Sequence, residues 1–209
     1  MPPAGKDRRR RFAPPPPPPH RRVPVRQRSF WAGIAVGLAA SAFIVTTAVL
    51  RHSSSSSSGP WGTHTSHLHD RLRALGFPAL SSEGTKLHTH QHLDVYVNGN
   101  HITVPANIGI GSHGSFYSPL HTHDTSGIIH LESATVRSYT LGEFFRVWGV
   151  RLTATCIDGH CGKLEAFVDR HRVDGNPADI RLRSHDEITL VLGRRPQQIP
   201  SSYSFPSGL

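Results

Sequence analysis

The chain has 209 residues, of which 36% are hydrophobic and 18% are charged, and its formal net charge is +9. This length allows one ordinary domain with accessory segments, and it excludes a TIM barrel or a two-domain dehydrogenase. Residues 1–28 hold nine bases and one acid, so this tail carries +8 of the net charge and the rest of the chain is nearly neutral. Because the excess of basic over acidic residues is confined to the tail, the sequence indicates no nucleic-acid partner.

The N-terminal segment, residues 1–29, is predicted to be a disordered cytoplasmic tail. It contains the basic run Arg8–Arg11 and six consecutive prolines at positions 14–19. The prolines favour a stiff polyproline II rod, which could bind an SH3-like partner. The arginines are expected to lie near anionic lipid headgroups.

A run of 21 uncharged residues, 30–50, follows this tail. At about 1.5 Å per residue, a helix of this length spans the roughly 30 Å hydrocarbon core of a bilayer. The positive-inside rule then places the N-terminus in the cytoplasm and residues 51–209 outside, which predicts a single-pass protein of the cell membrane. A cleaved signal peptide is the competing interpretation. Its small-residue cleavage pattern occurs at Ala40-Ser41-Ala42, in the middle of the span.

Two features connect this span to its surroundings. Gly33 and Gly37 form a GxxxG motif, which could pair two spans in a homodimer. Residues 51–60 contain six consecutive serines and predict a flexible linker. The folded, extracytoplasmic part is therefore expected to be residues 61–209, which is long enough to bury a real core.

The folded part is predicted to begin with a helix over residues 67–75. Leucines recur at helical spacing at positions 68, 72 and 75, and Gly76 is a typical C-terminal cap.

A β-hairpin is predicted next over residues 87–104, because Asn98-Gly99 is a strong type I′ turn signal between two alternating runs. Its two-residue loop pairs Val95 with Ile102 on a face that we expect to be buried. Alternation places three histidines together on the other face: His88, His90 and His92.

A strand and a helix are predicted after a Gly-rich loop. The strand covers residues 127–132 and includes His130. Thr140 and Glu143 have the spacing of a capping box at a helix N-terminus. The helix behind them has one apolar stripe, which we expect to pack in the core: Leu141, Phe144, Phe145 and Trp148.

A second hairpin is predicted over residues 150–168, around Asp158-Gly159. Pairing across a two-residue loop, as in the first hairpin, makes Cys156 and Cys161 direct neighbours, with Cα atoms about 4.5 Å apart. In an oxidising extracytoplasmic compartment this pairing predicts a disulfide. A thiolate metal site with His160 is the alternative, although a C-x4-C spacing is weak support for it.

Residues 181–193 are predicted to form the closing strand, because Ile188, Leu190 and Leu192 alternate. The order of hairpin, strand, helix, hairpin and strand predicts an α+β fold, in which one helix packs on a small mixed sheet. A β-grasp-like arrangement is the first expectation. Residues 167–192 resemble the closing strands of small ubiquitin-like domains, a local likeness that carries no function.

Histidine is the unusual component, with 16 residues. Two short strings concentrate them, His88-Thr-His90-Gln-His92 and His121-Thr-His123-Asp124. Neutral imidazole is the commonest metal ligand in proteins, and alternate residues of a strand can direct two imidazoles to one ion. Asp124 could ligate or orient an imidazole. The sequence therefore predicts a zinc or copper site at His88, His90, His92, His121, His123, Asp124 and His130.

Several segments also carry a family resemblance: His88–His92, Val97-Asn98-Gly99, Val104-Pro105, Ile108-Gly109-Ile110, Leu120–Glu132 and Leu141–Gly149. They are similar to segments of uncharacterised membrane-anchored, His-rich extracytoplasmic domain proteins of actinobacteria. The match runs over about residues 62–209. The resemblance implies the same anchored, His-rich organisation, and it implies no activity.

Three functions are compatible with these patterns. The first is an anchored domain that captures, senses or delivers a divalent metal. The second is a metal-dependent hydrolase or oxidoreductase, with Glu132 or Asp124 as base. The third is a metal-free envelope scaffold, in which the histidines form a hydrogen-bonded or pH-sensing cluster. The cupin spacing fails because Glu132 comes nine residues after His123, and no standard catalytic motif is present, so no catalytic residue is assigned.

Overall fold

The structure, a computed structural model, describes residues 60–209. The predicted tail, the predicted span with Gly33 and Gly37, and the linker up to residue 59 lie outside these residues. Among residues 60–209, neither helix has the length and apolar character needed to cross a bilayer. In chain order the helices and strands are α1 (Leu68–Leu75), β1 (Leu87–Val97), β2 (Asn100–Ile102), β3 (Leu120–His121), β4 (Ile128–Ser133), α2 (Leu141–Trp148), β5 (Cys156–Ile157), β6 (His160–Cys161), β7 (Leu164–Val168), β8 (His171–Val173) and β9 (Glu187–Leu192).

Seven of the strands in this part of the chain form one mixed sheet. Its order is β3-β4-β1-β9-β7-β8, and β2 pairs with β1 beyond the end of β4. The central pair, β1 and β9, is parallel, whereas all other neighbours are antiparallel. The predicted α+β class with a mixed sheet is therefore confirmed for the described residues.

Alternation along the strands gives the sheet one apolar and one polar face. Leu93 and Val95 of β1 pair with Ile188 and Leu190 of β9, and all four are at most 1% exposed. Between these positions the same strands present polar residues to the opposite face, for example Asp94 opposite Thr189. The apolar face becomes the core, and the polar face carries the histidines.

Both helices contribute to the core on the apolar side. The predicted capping box is present, since Glu143 N donates to Thr140 Oγ1 and Thr140 N donates to Glu143 Oε2. The apolar stripe of α2 is buried in one cluster with the sheet residues. The prediction of one packed helix was incomplete, because Leu68 and Leu72 of α1 are also buried in this cluster.

The two predicted hairpins differ in outcome. The first is present with the predicted register, Val95 opposite Ile102. The second is much shorter than predicted: β5 and β6 form a separate two-stranded sheet, in which Cys156 lies opposite Cys161 and the two form a disulfide. The prediction was wrong for residues 164–168, which form β7 and pair with β9, because their alternate apolar side chains continue the apolar face of β9.

The C-terminal segment, residues 194–209, crosses the middle of the polar face. Tyr203 stacks on the ring of His92, with centroids 3.8 Å apart. Arg195 donates two hydrogen bonds of 2.7 Å to the carboxylate of Glu165 on β7. The end of the polar face formed by β3, β4 and the first half of β1 remains partly open, since the side chain of His88 is 52% exposed.

Candidate metal centre

Three adjacent strands bring the two histidine strings together. His90 of β1 lies opposite His130 of β4, and His130 lies opposite His121 of β3. In the next row, His88 lies opposite Glu132. Directly opposed residues share a face of the sheet, so the side chains of both rows point to the polar face. The structure therefore contains His/Glu groups that could hold an ion, but it places the two strings in separate groups that share Glu132.

The first such group contains His121, His123, His130 and Glu132, whose ligand atoms all lie within 4.8 Å of one another. His121 Nε2 is 3.2 Å from His123 Nε2, and His130 Nδ1 is 3.2 Å from Glu132 Oε1. Two nitrogens bound to one zinc ion at about 2.0–2.1 Å are themselves roughly 3–3.5 Å apart. The spacing of both pairs is therefore that of neighbouring ligands on one ion.

The second group contains His88, His90 and the same Glu132. His88 Nε2 is 3.2 Å from His90 Nε2 and 3.3 Å from Glu132 Oε1. His90 Nε2 lies farther from this oxygen, at 3.8 Å. The two groups adjoin, because the rings of His90 and His130 are in edge-to-face contact with centroids 4.7 Å apart.

Local backbone contacts orient His121 as a ligand. Its Nδ1 donates to the carbonyl oxygen of Ser118 at 3.0 Å, which leaves the Nε2 lone pair directed towards His123. The side chain is fully buried beneath the loop that contains Gly109. This glycine has φ +72°, and a Cβ there would lie 2.3 Å from the carbonyl oxygen of Leu120, so only glycine lets the loop approach this closely.

Two buried histidines, His90 and His121, are held in the neutral form that a metal requires. Burial lowers the pKa of His121 to about 4, against a partial opposing effect of Glu132. Burial, together with the nearby His130 and His88, also lowers the pKa of His90 to about 4. Burial acts to raise the pKa of Glu132, but its hydrogen bond with His130 and the surrounding imidazoles hold this pKa below its usual value. At neutral pH His90 and His121 are therefore neutral, and the carboxylate of Glu132 is anionic.

Two acidic residues at the site were not predicted as ligands. Glu132 was considered only as a base, although its position two residues after His130 on a strand signals the same face. No sequence pattern indicated that Glu83 lies at the site. Its Oε1 lies 3.1 Å from His123 Nε2 and 3.9 Å from His121 Nε2. Its loop lies against the end of β4, because a Cβ on Gly84 would be 2.3 Å from the carbonyl carbon of Ser133.

His92 lies on the same face but outside the two groups. Its Nδ1 is 2.8 Å from Glu187 Oε2 and its Nε2 is 2.7 Å from the carbonyl oxygen of Ser126, so both nitrogens act as donors. Burial acts to lower the pKa of His92, but the hydrogen bond and charge of Glu187 raise it overall. His92 therefore hydrogen-bonds to Glu187 rather than joining His88 and His90. Together with Asp94 and Glu187 it forms a third group of side chains that could hold an ion.

Asp124 is likewise not brought into either group. Its Oδ1 accepts a hydrogen bond of 2.8 Å from the backbone nitrogen of Ser126, and hydrogen bonding with the side chain and the backbone of Ser126 lowers the pKa of the carboxyl. The side chain therefore shapes the turn between His123 and β4. Asp124 was predicted to ligate the metal or to orient an imidazole. In the structure it positions the chain next to His123.

Comparisons of the chain with protein-family models, with curated proteins and with solved structures find no match. The resemblance to membrane-anchored, His-rich actinobacterial proteins stays a prediction. A function for this chain is therefore argued from the chemistry of the side chains described above.

Proposed function

We propose that the chain binds a divalent transition metal ion, zinc or copper, and captures, senses or delivers it. The ligands come from the histidine cluster, which we define as His88, His90, His121, His123, His130 and Glu132. The observation that carries the proposal is the ligand spacing within each string. His88 and His90, like His121 and His123, hold their Nε2 atoms 3.2 Å apart beside one buried carboxylate.

The ionisation of the cluster favours an ion over a metal-free scaffold. Two buried imidazoles with pKa values near 4 cannot pair with Glu132 as cations at neutral pH. A bound dication would pair with this buried carboxylate and use the free lone pairs of His90 and His121 at the same time.

The exposure of the cluster favours an exchangeable ion. The side chains of His88 and His123 are 52% and 40% exposed, whereas His90 and His121 are buried. Solvent can therefore reach a bound ion from one side. This same access keeps a metal-dependent hydrolase or oxidoreductase as the second candidate, because such enzymes need an open coordination position.

The proposed location is the outer side of a cell membrane, to which the chain is anchored by residues 30–50. The disulfide between Cys156 and Cys161 supports an oxidising compartment. The uncharged run and the basic tail before it support the anchor and its orientation.

We also propose that the domain is β-grasp-like. The parallel central pair of β1 and β9, the helix α2 inserted between them in sequence, and the antiparallel β7 beside β9 support this arrangement. The likeness concerns topology alone and assigns no activity.

Metal titration of the purified full chain tests the function. We expect Zn²⁺ or Cu²⁺ to bind and to raise the melting temperature, because an ion that binds only the folded state stabilises it. His90→Ala and His121→Ala should each reduce the affinity tenfold or more in calorimetric titration, about the loss typical of a perturbed metal site. The matched control is His171→Ala on β8, an exposed histidine outside the cluster, which should leave the affinity unchanged. Wild-type protein that retains no metal after dialysis and gains no thermal stability on titration would refute the proposal.

A further inference from the structure

The histidine cluster contains more ligand atoms than one ion can use. A structural zinc ion takes four ligands, whereas the cluster offers five imidazoles and Glu132, with Glu83 beside them. The ligand atoms also do not form one set. They divide into two groups, His121, His123 and His130 on one side and His88 and His90 on the other, and Glu132 is common to both.

Each group contains the elements of a separate site. In both, an H-x-H string supplies two Nε2 atoms at 3.2 Å, the separation expected for two ligands of one ion. Glu132 Oε1 lies 3.2 Å from His130 Nδ1 in the first group and 3.3 Å from His88 Nε2 in the second. A carboxylate has two oxygens with about four lone-pair positions, so one carboxylate can bind two ions at once.

The charges around the cluster are compatible with a pair of dications. Glu132 is buried, and its Oε1 contacts one imidazole of each group, His130 in the first and His88 in the second. Glu83 adds a second, partly exposed carboxylate next to His123. Solvent access at His88 and His123 leaves room for water ligands to complete each coordination sphere.

We infer that the cluster holds two divalent zinc or copper ions, one among His121, His123 and His130 and one between His88 and His90, bridged by Glu132. This inference rests on the proposed metal-binding function and adds the number of ions and the bridging ligand to it. Paired ions in proteins lie about 3.5–4 Å apart, a separation that a single carboxylate spans.

Metal content measures the number of ions directly. The full chain, purified in detergent and equilibrated with a fixed low concentration of free Zn²⁺, should hold two ions per chain by elemental analysis. His88→Ala and His123→Ala should each reduce this content to one, because each removes a ligand from one group only. Both side chains are about half exposed, so these substitutions do not open the core. His171→Ala, the control, should keep two ions.

Copper spectroscopy tests the bridge. Wild-type protein loaded with Cu²⁺ should show the half-field electron paramagnetic resonance signal of two interacting ions, and His88→Ala should show an isolated Cu²⁺ spectrum. Glu132→Gln preserves the side-chain shape but removes the bridging charge, so it should abolish the half-field signal and weaken both ions tenfold or more.

The outcomes separate the two proposals. A wild-type content of one ion overturns the paired site and leaves the metal-binding function standing, whereas a content of zero overturns both. The bridge, and with it the inference, is overturned if the two ions show no magnetic interaction and Glu132→Gln retains both with the wild-type affinity.

Discussion

The pKa values of two buried histidines on the same face of the sheet shift in opposite directions because their partners differ. His121 donates one hydrogen bond to a backbone carbonyl and is buried, and its pKa falls to about 4. Burial acts on His92 in the same direction, but Glu187 contacts it directly and raises its pKa overall. The residue type alone therefore does not identify a ligand, because a direct hydrogen bond to a carboxylate can outweigh the effect of burial on the pKa of the ring.

At this scale we expect the stability of the metal-free protein to depend on pH between about 6.5 and 4. The unfolded chain protonates His90 and His121 near the ordinary value of about 6.5, whereas the folded protein resists protonation until pH about 4. The unfolded state thus binds more protons in this window, so the free energy of unfolding is highest above it and falls as the pH decreases. Since one pKa unit corresponds to about 1.4 kcal/mol, the fully buried His121 should account for a loss on the order of 2–3 kcal/mol.

Urea denaturation in the presence of a chelator at several pH values measures this slope. His121→Gln cannot titrate, so it should flatten the pH dependence relative to the wild type. If the free energy of unfolding falls equally with pH in both proteins, titratable groups other than His121 cause the pH dependence.

At the scale of elements, sequence patterns were sufficient to predict pairing between neighbouring segments. No sequence pattern specified which distant strands pair. The Asn98-Gly99 turn and simple alternation predicted both the Val95–Ile102 register and the common face of His88 and His90. The partner of that face is β4, which is separated from β1 by β2, a long loop and β3, and no turn chemistry specifies such a pairing. The approach of Glu83 depends on a tertiary contact of Gly84, which leaves no pattern in the sequence.

The second hairpin shows the same difference between local pairing, which was predicted, and long-range pairing, which was not. Asp158-Gly159 correctly predicted the pairing of Cys156 with Cys161. It could not predict where the hairpin ends, because residues 164–168 have the same alternation whether they extend the hairpin or enter the main sheet. Pairing with the buried β9 buries more apolar surface than extending an exposed ribbon, so tertiary packing decides.

The capping box of α2 gives a prediction at this scale. Thr140→Ala removes the side-chain acceptor for the backbone nitrogen of Glu143, so we expect the free energy of unfolding to fall by about 1 kcal/mol. Thr65→Ala, at an exposed position before α1, serves as the matched control and should change it little. Chemical denaturation of the three proteins compares them, and equal midpoints for the wild type and Thr140→Ala would show that the cap is dispensable.

At the scale of the whole molecule, the polar face is divided between two roles. The C-terminal segment covers its middle, where Tyr203 stacks on His92 and Arg195 binds Glu165. The cluster occupies the end formed by β1, β4 and β3, with donors between residues 88 and 132 of the chain. An ion held there would join three strands that are otherwise connected across a long loop, so binding and the integrity of this end of the sheet are coupled.

The shortness of β3 determines how such an ion could leave. This edge strand has two residues, and the residue that follows it, Thr122, forms two backbone hydrogen bonds with the loop at Asn107 and Ile108. A short edge opens at a free-energy cost well below that of global unfolding, and amide hydrogen exchange reports such openings. With metal bound, opening must also break the coordination of His121, so exchange in residues 119–123 should slow tenfold or more while α2 is unaffected. The residence time of the ion would then be set by how often the edge of the sheet lifts, and peptides from this edge that exchange equally fast with and without metal would contradict that coupling.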